Sequence, residues 1–250
     1  QTTFMPFNEP NFDGNYKLDF GDVLEIQLVG QKSQTFLTPI KRDGSINIPD
    51  IGKVILAGLS LDNASNVVTK KYENSFMGVD VFTTLVSIRD IQIIVSGNVS
   101  NPGPYTLNGN STLFHALAVS GGPSETGSFR QIELVRDNEI IETADLYDTF
   151  IHGKSTFSTR LRSGDLIFVR PVINLVSISG AVKRPGTYEL KEDENLSSAI
   201  LFANGINNRA DLSEISLIRL QDGLISKIAV NNPTKFETIL SNDKDKIIVR

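Results

Sequence analysis

The chain reads as an α+β protein, with one N-terminal α+β domain followed by two tandem copies of a smaller sheet-plus-helix module. Three observations predict this. A segment around Gly97 recurs around Gly180 in a single register. The region before it changes from a two-residue to a helical hydrophobic period and then to a β-branched run. Finally, no stretch approaches the roughly 20 consecutive apolar residues that a membrane-spanning helix needs.

The duplication is the strongest signal. Ser96-Gly97-Asn98-Val99-Ser100-Asn101-Pro102-Gly103-Pro104-Tyr105-Thr106-Leu107 lies over Ser179-Gly180-Ala181-Val182-Lys183-Arg184-Pro185-Gly186-Thr187-Tyr188-Glu189-Leu190, an offset of 83 residues. Without a gap, Leu113 then falls on Leu196, Ala116 on Ala199, Gly122 on Gly205, Ile132 on Ile215, Leu134 on Leu217 and Arg136 on Arg219.

Each copy predicts a β-β-α-β-β unit. An apolar strand (Ile93–Val95; Val176–Ile178) leads to a Pro-Gly turn, Pro102-Gly103 or Pro185-Gly186, where proline sets φ and glycine supplies a positive φ. A short strand with Tyr105 or Tyr188 follows. A helix then opens on Ser111 or Thr112 in the first copy and on Asn195 in the second. Its apolar face is Leu113, Ala116, Leu117 and Ser120, or Leu196, Ala199, Ile200 and Ala203. Gly121-Gly122 and Gly205 end the helices where a left-handed residue is needed. Strands Gln131–Arg136 and Ile215–Leu220 complete the pattern, the second closed by an Asp222-Gly223 hairpin turn.

In the N-terminal domain, Leu24, Ile26 and Leu28 alternate with polar residues as a half-buried strand does. Arg42-Asp43-Gly44 is a tight turn before Ile46 and Ile48. A helix carries Leu61, Ala64, Val68, Tyr72 and Phe76 on one face, and Val79–Ile88 is a strand. The expected boundaries are an extended arm over 1–14 (with Pro6 and Pro10), a domain over 15–90, and modules over 91–172 and 173–250. The final strand, Lys246–Arg250, reads as a strand cut at its edge. With Gln1 as first residue, the expectation is a fragment whose second module is truncated, and any signal peptide or lipid-anchor cysteine would lie outside it.

Composition narrows the function. Hydrophobic residues make up 40% and charged residues 21%, which fits a folded chain rather than a disordered one. A net charge of −5 gives no basic surplus for phosphate neutralisation, so nucleic acid is not an expected partner. The absence of cysteine excludes disulfides, thiolate metal sites and a cysteine nucleophile. The absence of tryptophan weakens the expectation of a sugar-stacking groove.

No catalytic motif stands out. His115 sits beside the apolar stripe of the first helix with Ser198 as its counterpart, so it reads as a boundary residue. His152 reads as a helix-end residue meeting the last carbonyls. Gly121-Gly122-Pro123 follows a helix and is a C-cap rather than a phosphate loop. The carboxylates Asp19 and Asp22, Glu192–Glu194 and Asp243–Asp245 read as solvated faces or turn formers. No metal or cofactor is expected. Arg130, Arg136, Lys183, Arg184, Arg209 and Arg219 fall at equivalent or neighbouring places in the two copies. They are candidates for contact with a polyanion or a neighbouring subunit, set against ordinary strand-end salt bridges.

Tyr16-Lys17-Leu18-Asp19-Phe20-Gly21-Asp22-Val23-Leu24-Glu25-Ile26 resembles the opening of the polysaccharide export domain of Wza/KpsD-like outer-membrane exporters, with Asp19-Phe20 standing where the family has Gly-Pro. Arg42-Asp43-Gly44-Ser45-Ile46-Asn47-Ile48-Pro49, Gly52-Lys53-Val54 and Ala57-Gly58-Leu59-Ser60 resemble its next signatures. The two repeats resemble the soluble-ligand-binding (SLBB) β-grasp modules that follow that domain, on Gly97, Pro102-Gly103, Tyr105 and Gly121-Gly122, then Gly180, Pro185-Gly186, Tyr188 and Gly205. The connector Ile141–Asp148 resembles the longer, periplasmic members. The resemblance implies a non-enzymatic, ring-shaped homo-oligomer in the periplasm or at the outer membrane. It would conduct capsular or exopolysaccharide, with an inner-membrane co-polymerase as partner, and would meet the membrane only through parts outside this chain. The alternatives are a monomeric periplasmic module that binds a carbohydrate or small ligand, and a glycan-active enzyme.

Overall fold

The computed structural model describes residues 14–250 apart from 155–156, 209, 212, 214, 222 and 231–232. The expected arm before Gly14, Arg209, and Asp222 of the hairpin turn therefore lie outside the described residues. The protein is α+β. It packs as two compact units. The first runs to Ile94 and takes in Pro104–Val119 and Thr159–Asp165; the second holds Val95–Gly103, Ser120–Ser158 and Leu166–Arg250.

In the N-terminal region β1 (Val23–Gly30) is the middle strand of an antiparallel sheet with β2 (Gln34–Pro39) and, later, β5 (Val79–Ser87). Its alternation puts Leu24, Ile26 and Leu28 into the core. Between these strands, β3 (Ser45–Ile48) and β4 (Gly52–Ile55) form a hairpin in which Ile46 faces Val54. The turn before β3 closes with the Gly44 N–H donating to the Lys41 carbonyl at 2.8 Å. Helix α1 (Leu61–Glu73) starts at Ser60, whose hydroxyl accepts from the Asn63 N–H. It buries Ala64, Val68 and Tyr72, while Leu61 and Phe76 pack at the margin of the same core.

The first module contains β6 (Asp90–Gly97), β7 (Gly103–Asn108), α2 (Leu113–Val119), β8 (Gly127–Arg136), β9 (Glu139–Ala144), α3 (Leu146–Phe150) and β10 (Leu166–Pro171). The second contains β11 (Leu175–Gly180), β12 (Gly186–Glu189), α4 (Leu196–Phe202), β13 (Ile215–Gln221), β14 (Leu224–Val230), a 3-10 turn over Pro233–Glu237 and β15 (Lys246–Val249). Their sheets have the same strand order, β7-β6-β10-β8-β9 and β12-β11-β15-β13-β14. The duplication read from the sequence is thus a duplication of topology, with one strand more per copy than the β-β-α-β-β reading held. The extra strand, β10 or β15, is inserted into the middle of the sheet. β15 pairs parallel with β11 and antiparallel with β13 and so stands in the middle of its sheet. Chain-local patterning could not place it, because its partners are remote in sequence.

Both modules turn on one glycine. Gly97 and Gly180 have φ of 81° and 88°, and a Cβ there would lie 2.2 Å from the Val169 carbonyl oxygen and 1.8 Å from that of Val249. The residue after each donates its N–H to that same carbonyl, Asn98 to Val169 at 2.9 Å and Ala181 to Val249 at 2.7 Å. The chain then runs along the end of the helix. Ser100 and Asn101 donate to the carbonyls of Gly122 and Ser120, and Lys183 and Arg184 to those of Gly205 and Ala203. Helix-end carbonyls otherwise left without partners are satisfied this way in both copies.

The reversal therefore occurs at Gly97 and Gly180, not at the Pro-Gly pairs. Gly103 opens β7 close to extended backbone at φ 156°, and Gly186 opens β12 without a positive φ. Proline biases the residue before it towards extended backbone, which suits the approach to a strand. At the far end of each helix the sequence reading holds, with Gly121, Gly122 and Gly205 all left-handed. Asn195 caps α4 through the N–H groups of Ser197 and Ser198. At α2, the Thr112 N–H donates to His115 Nδ1 at 3.1 Å, which makes His115 a capping partner at the boundary of the helix.

Gly180→Ala should destabilise the fold by about 3 kcal/mol or more, from the left-handed conformation and the backbone clash together. Gly205→Ala, also left-handed but facing open space, should cost only about 1–2 kcal/mol. Urea denaturation of the two variants separates the terms, and equal losses would show that the close approach carries no energy.

Candidate functional site

Three turns of one design set the framework. Asp22, Asp165 and Asp245 are each at most 1% exposed and each stand immediately before a strand. In each turn the aspartate N–H donates to the carbonyl three residues back, on Asp19, Arg162 and Asn242. The N–H of that earlier residue donates to the aspartate carboxylate, at 2.8, 2.7 and 3.0 Å. The intervening residue is left-handed in all three: Gly21, Gly164 and Lys244. It donates its N–H to the carbonyl of Ile40, Gln92 and Leu175 respectively, and the aspartate carbonyl accepts from Ile40, Ile94 and Ser177. The turn reading of Asp22 and Asp245 was right and the solvated reading was wrong, since both side chains are out of water and held by hydrogen bonds.

Around Asp22 the remaining lone pairs are met by Arg89 and Tyr16. Arg89 donates its backbone N–H (2.9 Å) and its guanidinium (3.0 Å) to the carboxylate, and the Tyr16 hydroxyl lies 3.0 and 3.1 Å from the two oxygens. Burial, reinforced by the Asp22 charge, pushes the Tyr16 phenol well above its ordinary pKa, so it remains a donor. The Arg89 carbonyl accepts from Gly109, and a Cβ at Gly109 would crowd both Arg89 and Tyr16. At Asp245 the arginine is Arg219, which donates to both carboxylate oxygens at 2.9 and 2.6 Å and to the Leu240 carbonyl. Its hydrogen bond to Asp245 keeps the guanidinium protonated against the opposing effect of burial.

A second ionic centre ties the two modules within the second compact unit. Arg130 on β8 is 6% exposed. Its Nε donates to Asp145, the N-cap of α3, at 3.1 Å, and its Nη1 donates to the Glu194 carboxylate and the Glu189 carbonyl of the second module. The guanidinium lies 4.9 Å from the Tyr147 ring centroid and 5.1 Å from that of Phe202, and those two rings meet edge to face. Burial opposes its charge, but Glu194 and Asp145 more than offset this and hold it protonated. Beside it the Glu189 carboxylate accepts from the Ser128 hydroxyl and, at 2.7 Å, from the Phe129 N–H. Burial raises its pKa above the ordinary value despite those bonds. The arrangement is suited to fixing two modules in one relation; its hydroxyl–carboxylate pair, Ser128 and Glu189, is buried and bonded to the backbone N–H groups of Phe129, Arg130 and Gln131. Among the described residues no His, Asp and Glu cluster could hold a metal ion, and no helix is long and apolar enough to cross a membrane.

Comparison with known families agrees with this layout. Residues 10–88 match the polysaccharide biosynthesis/export protein family, and residues 92–144 and 175–229 each match the SLBB domain. The chain's N-terminal region is thus an export-family domain, and its two modules are SLBB domains. Two Escherichia coli proteins described as polysialic acid transport protein KpsD are each 29% identical to it over 183 residues. That alignment takes in 72% of this chain but 33% of theirs, so the chain spans about a third of the length of the curated relatives it matches.

Against the export-family motifs, Tyr16, Gly21 and Asp22 converge on the Asp22 turn. Asp43 and Gly44 shape the β3 turn, with Asp43 accepting from Ser45 and Lys53, which hold its carboxyl well below the usual range. The Arg42 guanidinium rests over the Phe20 ring at 5.7 Å. In the SLBB modules Gly97 and Gly180 are the close-approach positions, Tyr105 and Tyr188 are half-buried, and the Tyr188 hydroxyl donates to the Arg184 carbonyl at 2.7 Å. The basic candidates divide. Arg130 and Arg219 are committed to internal carboxylates and do not face outward. Arg136 is half-buried, whereas Lys183 and Arg184 are exposed at the β11–β12 loop. His152 donates its backbone N–H to the Tyr147 carbonyl of α3 at 3.2 Å, and its ring lies edge-on to Phe202 at 6.3 Å between centroids.

The Asp165 turn and the Glu189–Arg130 centre were not foreseen. The duplication held a signal for the second, because the centre's members break the repeat: Ser213 stands at the counterpart of Arg130, Thr106 at that of Glu189 and Ser111 at that of Glu194.

Two outcomes are expected. Arg130→Ala should cost about 3–5 kcal/mol in a denaturant titration, because it strands buried carboxylates. Glu189 binds its proton more tightly folded than unfolded. Its contribution to stability is therefore present below its ordinary pKa of 4.5 and is lost as pH rises through the raised folded value. Glu189→Gln should remove that component, so the parent loses more stability than the variant from pH 4.5 upward. Parallel pH profiles for the two would refute it.

Proposed function

We propose that this chain is part of a periplasmic or outer-membrane component of a capsular or exopolysaccharide export machine. It works as a homo-oligomeric, ring-like conduit that receives polymer from an inner-membrane co-polymerase. The observation that carries the reading is the order of regions: an export domain, then two SLBB modules of the same strand order. The ionic chemistry supports it. The Asp22, Asp245 and Arg130 centres all secure strands or modules, as a rigid wall element requires, and none is arranged to break a bond. The work is transport. The KpsD relatives are described as transporting polysialic acid, and an acidic polymer is the matching cargo class here.

Deleting the gene should abolish surface polysaccharide while polymer accumulates inside the cell, and a plasmid copy should restore export. Normal surface polymer in the deletion strain would overturn the reading. If instead the purified full-length protein were strictly monomeric and held a soluble oligosaccharide one-to-one, a binding module would replace the conduit.

A further inference from the structure

Two of the three aspartate turns present their outer residues to one open cleft of about 530 Å3 within the first compact unit. The turn ending at Asp22 supplies Asp19, Phe20 and Gly21; the turn ending at Asp165 supplies Arg162 and Ser163; Arg89, Asp90 and Ile91 form the remaining wall. The volume falls within the range of small-molecule sites, which typically pair an apolar surface with a few convergent polar groups.

The side chains have the chemistry of a sugar site. Phe20 is 48% exposed and lines the cleft, so part of its ring is open to a ligand. Arg42 lies over its ring, and its backbone is pinned by the Asp19 carboxylate at 2.8 Å. Arg89 spends one terminal nitrogen on Tyr16 and Asp22; the other lies 3.8 Å from Asp19. Ser163 Oγ accepts from the Gln92 N–H, which leaves its own O–H free to donate. Arg162 and Asp90 are exposed. The cleft therefore offers an aromatic face, guanidinium and hydroxyl donors, and carboxylate acceptors. Asp19, Phe20, Arg162 and Ser163 are mounted on turns whose backbones are fixed by buried aspartates, so little backbone ordering is needed on binding.

We propose that this cleft is a subsite for one pyranose unit of the exported polymer. The apolar face of the sugar ring lies on Phe20, its hydroxyls donate to Asp19 and Asp90, and Arg162 and Arg89 donate to its oxygens. A carboxylate substituent on the sugar, where present, pairs with Arg162. A single weak subsite suits a conduit, since a polymer must be guided without being retained. This inference rests on the export reading and specifies where the polymer touches the chain.

The test uses the 250-residue chain and saturation-transfer NMR with four probes: tetrasaccharides of sialic acid, galacturonic acid and glucose, and oligosaccharides released by partial hydrolysis from the host's own surface polymer. Binding in the millimolar range is expected for at least one probe. Phe20→Ala and Arg162→Ala should each weaken it about tenfold, the size of one lost stacking or charged contact, with thermal melting unchanged because both side chains are exposed. No transfer to any probe, or transfer that neither variant reduces, overturns the subsite. The deletion strain keeps the two claims apart. Lost export together with absent binding removes the subsite and leaves the export reading standing, whereas normal export in that strain removes the export reading itself.

Discussion

A carboxylate withdrawn from water is tolerated only where hydrogen bonds meet its lone pairs, and this protein meets that demand three times with the same turn. Asp22, Asp165 and Asp245 each tie their own turn closed and hand the chain into a strand. For Asp165 and Asp245 that strand is inserted into the middle of a sheet. Strand insertion depends on accurate entry, because a slip of one residue would put the inward Ile167 and Val169, or Ile247 and Val249, on the wrong face. At Asp22 and Asp245 an arginine joins the carboxylate, in each case from a strand or linker remote from the turn.

The left-handed glycines complement this device from the other side of the same strands. Where Gly97 and Gly180 pass over the carbonyls of Val169 and Val249, backbone meets backbone with no room for a side chain. The loop beyond each glycine then satisfies the end of the module's helix. The sheet, its inserted strand and its helix are therefore fastened by groups that belong to the repeat itself, and each module carries its own fastening.

The contacts between modules follow a different logic. The Arg130 centre uses residues that differ between the copies, and it combines a buried cation with three carboxylates and two aromatic rings. Such a centre is a poor source of net stability compared with apolar packing, but it admits few alternative arrangements, because displacing any member leaves a buried charge unmet.

The sequence by itself determined the α+β class, the duplication with its helix ends, and the alternation that buries Leu24, Ile26 and Leu28, because each of these is written in spacings of a few residues or in a register copied whole. It also marked Tyr16, Gly21 and Asp22 as a motif. The tertiary structure alone decided that Asp22, Asp165 and Asp245 are one device, that β10 and β15 enter their sheets centrally, that reversal occurs at Gly97 and Gly180 rather than at the Pro-Gly pairs, and that Arg130 and Arg219 point inward. The physical reason is common to all four. Each depends on a partner about 20 to 80 residues away (Asp245 for Arg219, Glu194 for Arg130, Val169 for Gly97). Periodicity reports which way a side chain faces along its own element, and it carries no record of which distant carbonyl or charge will be waiting there.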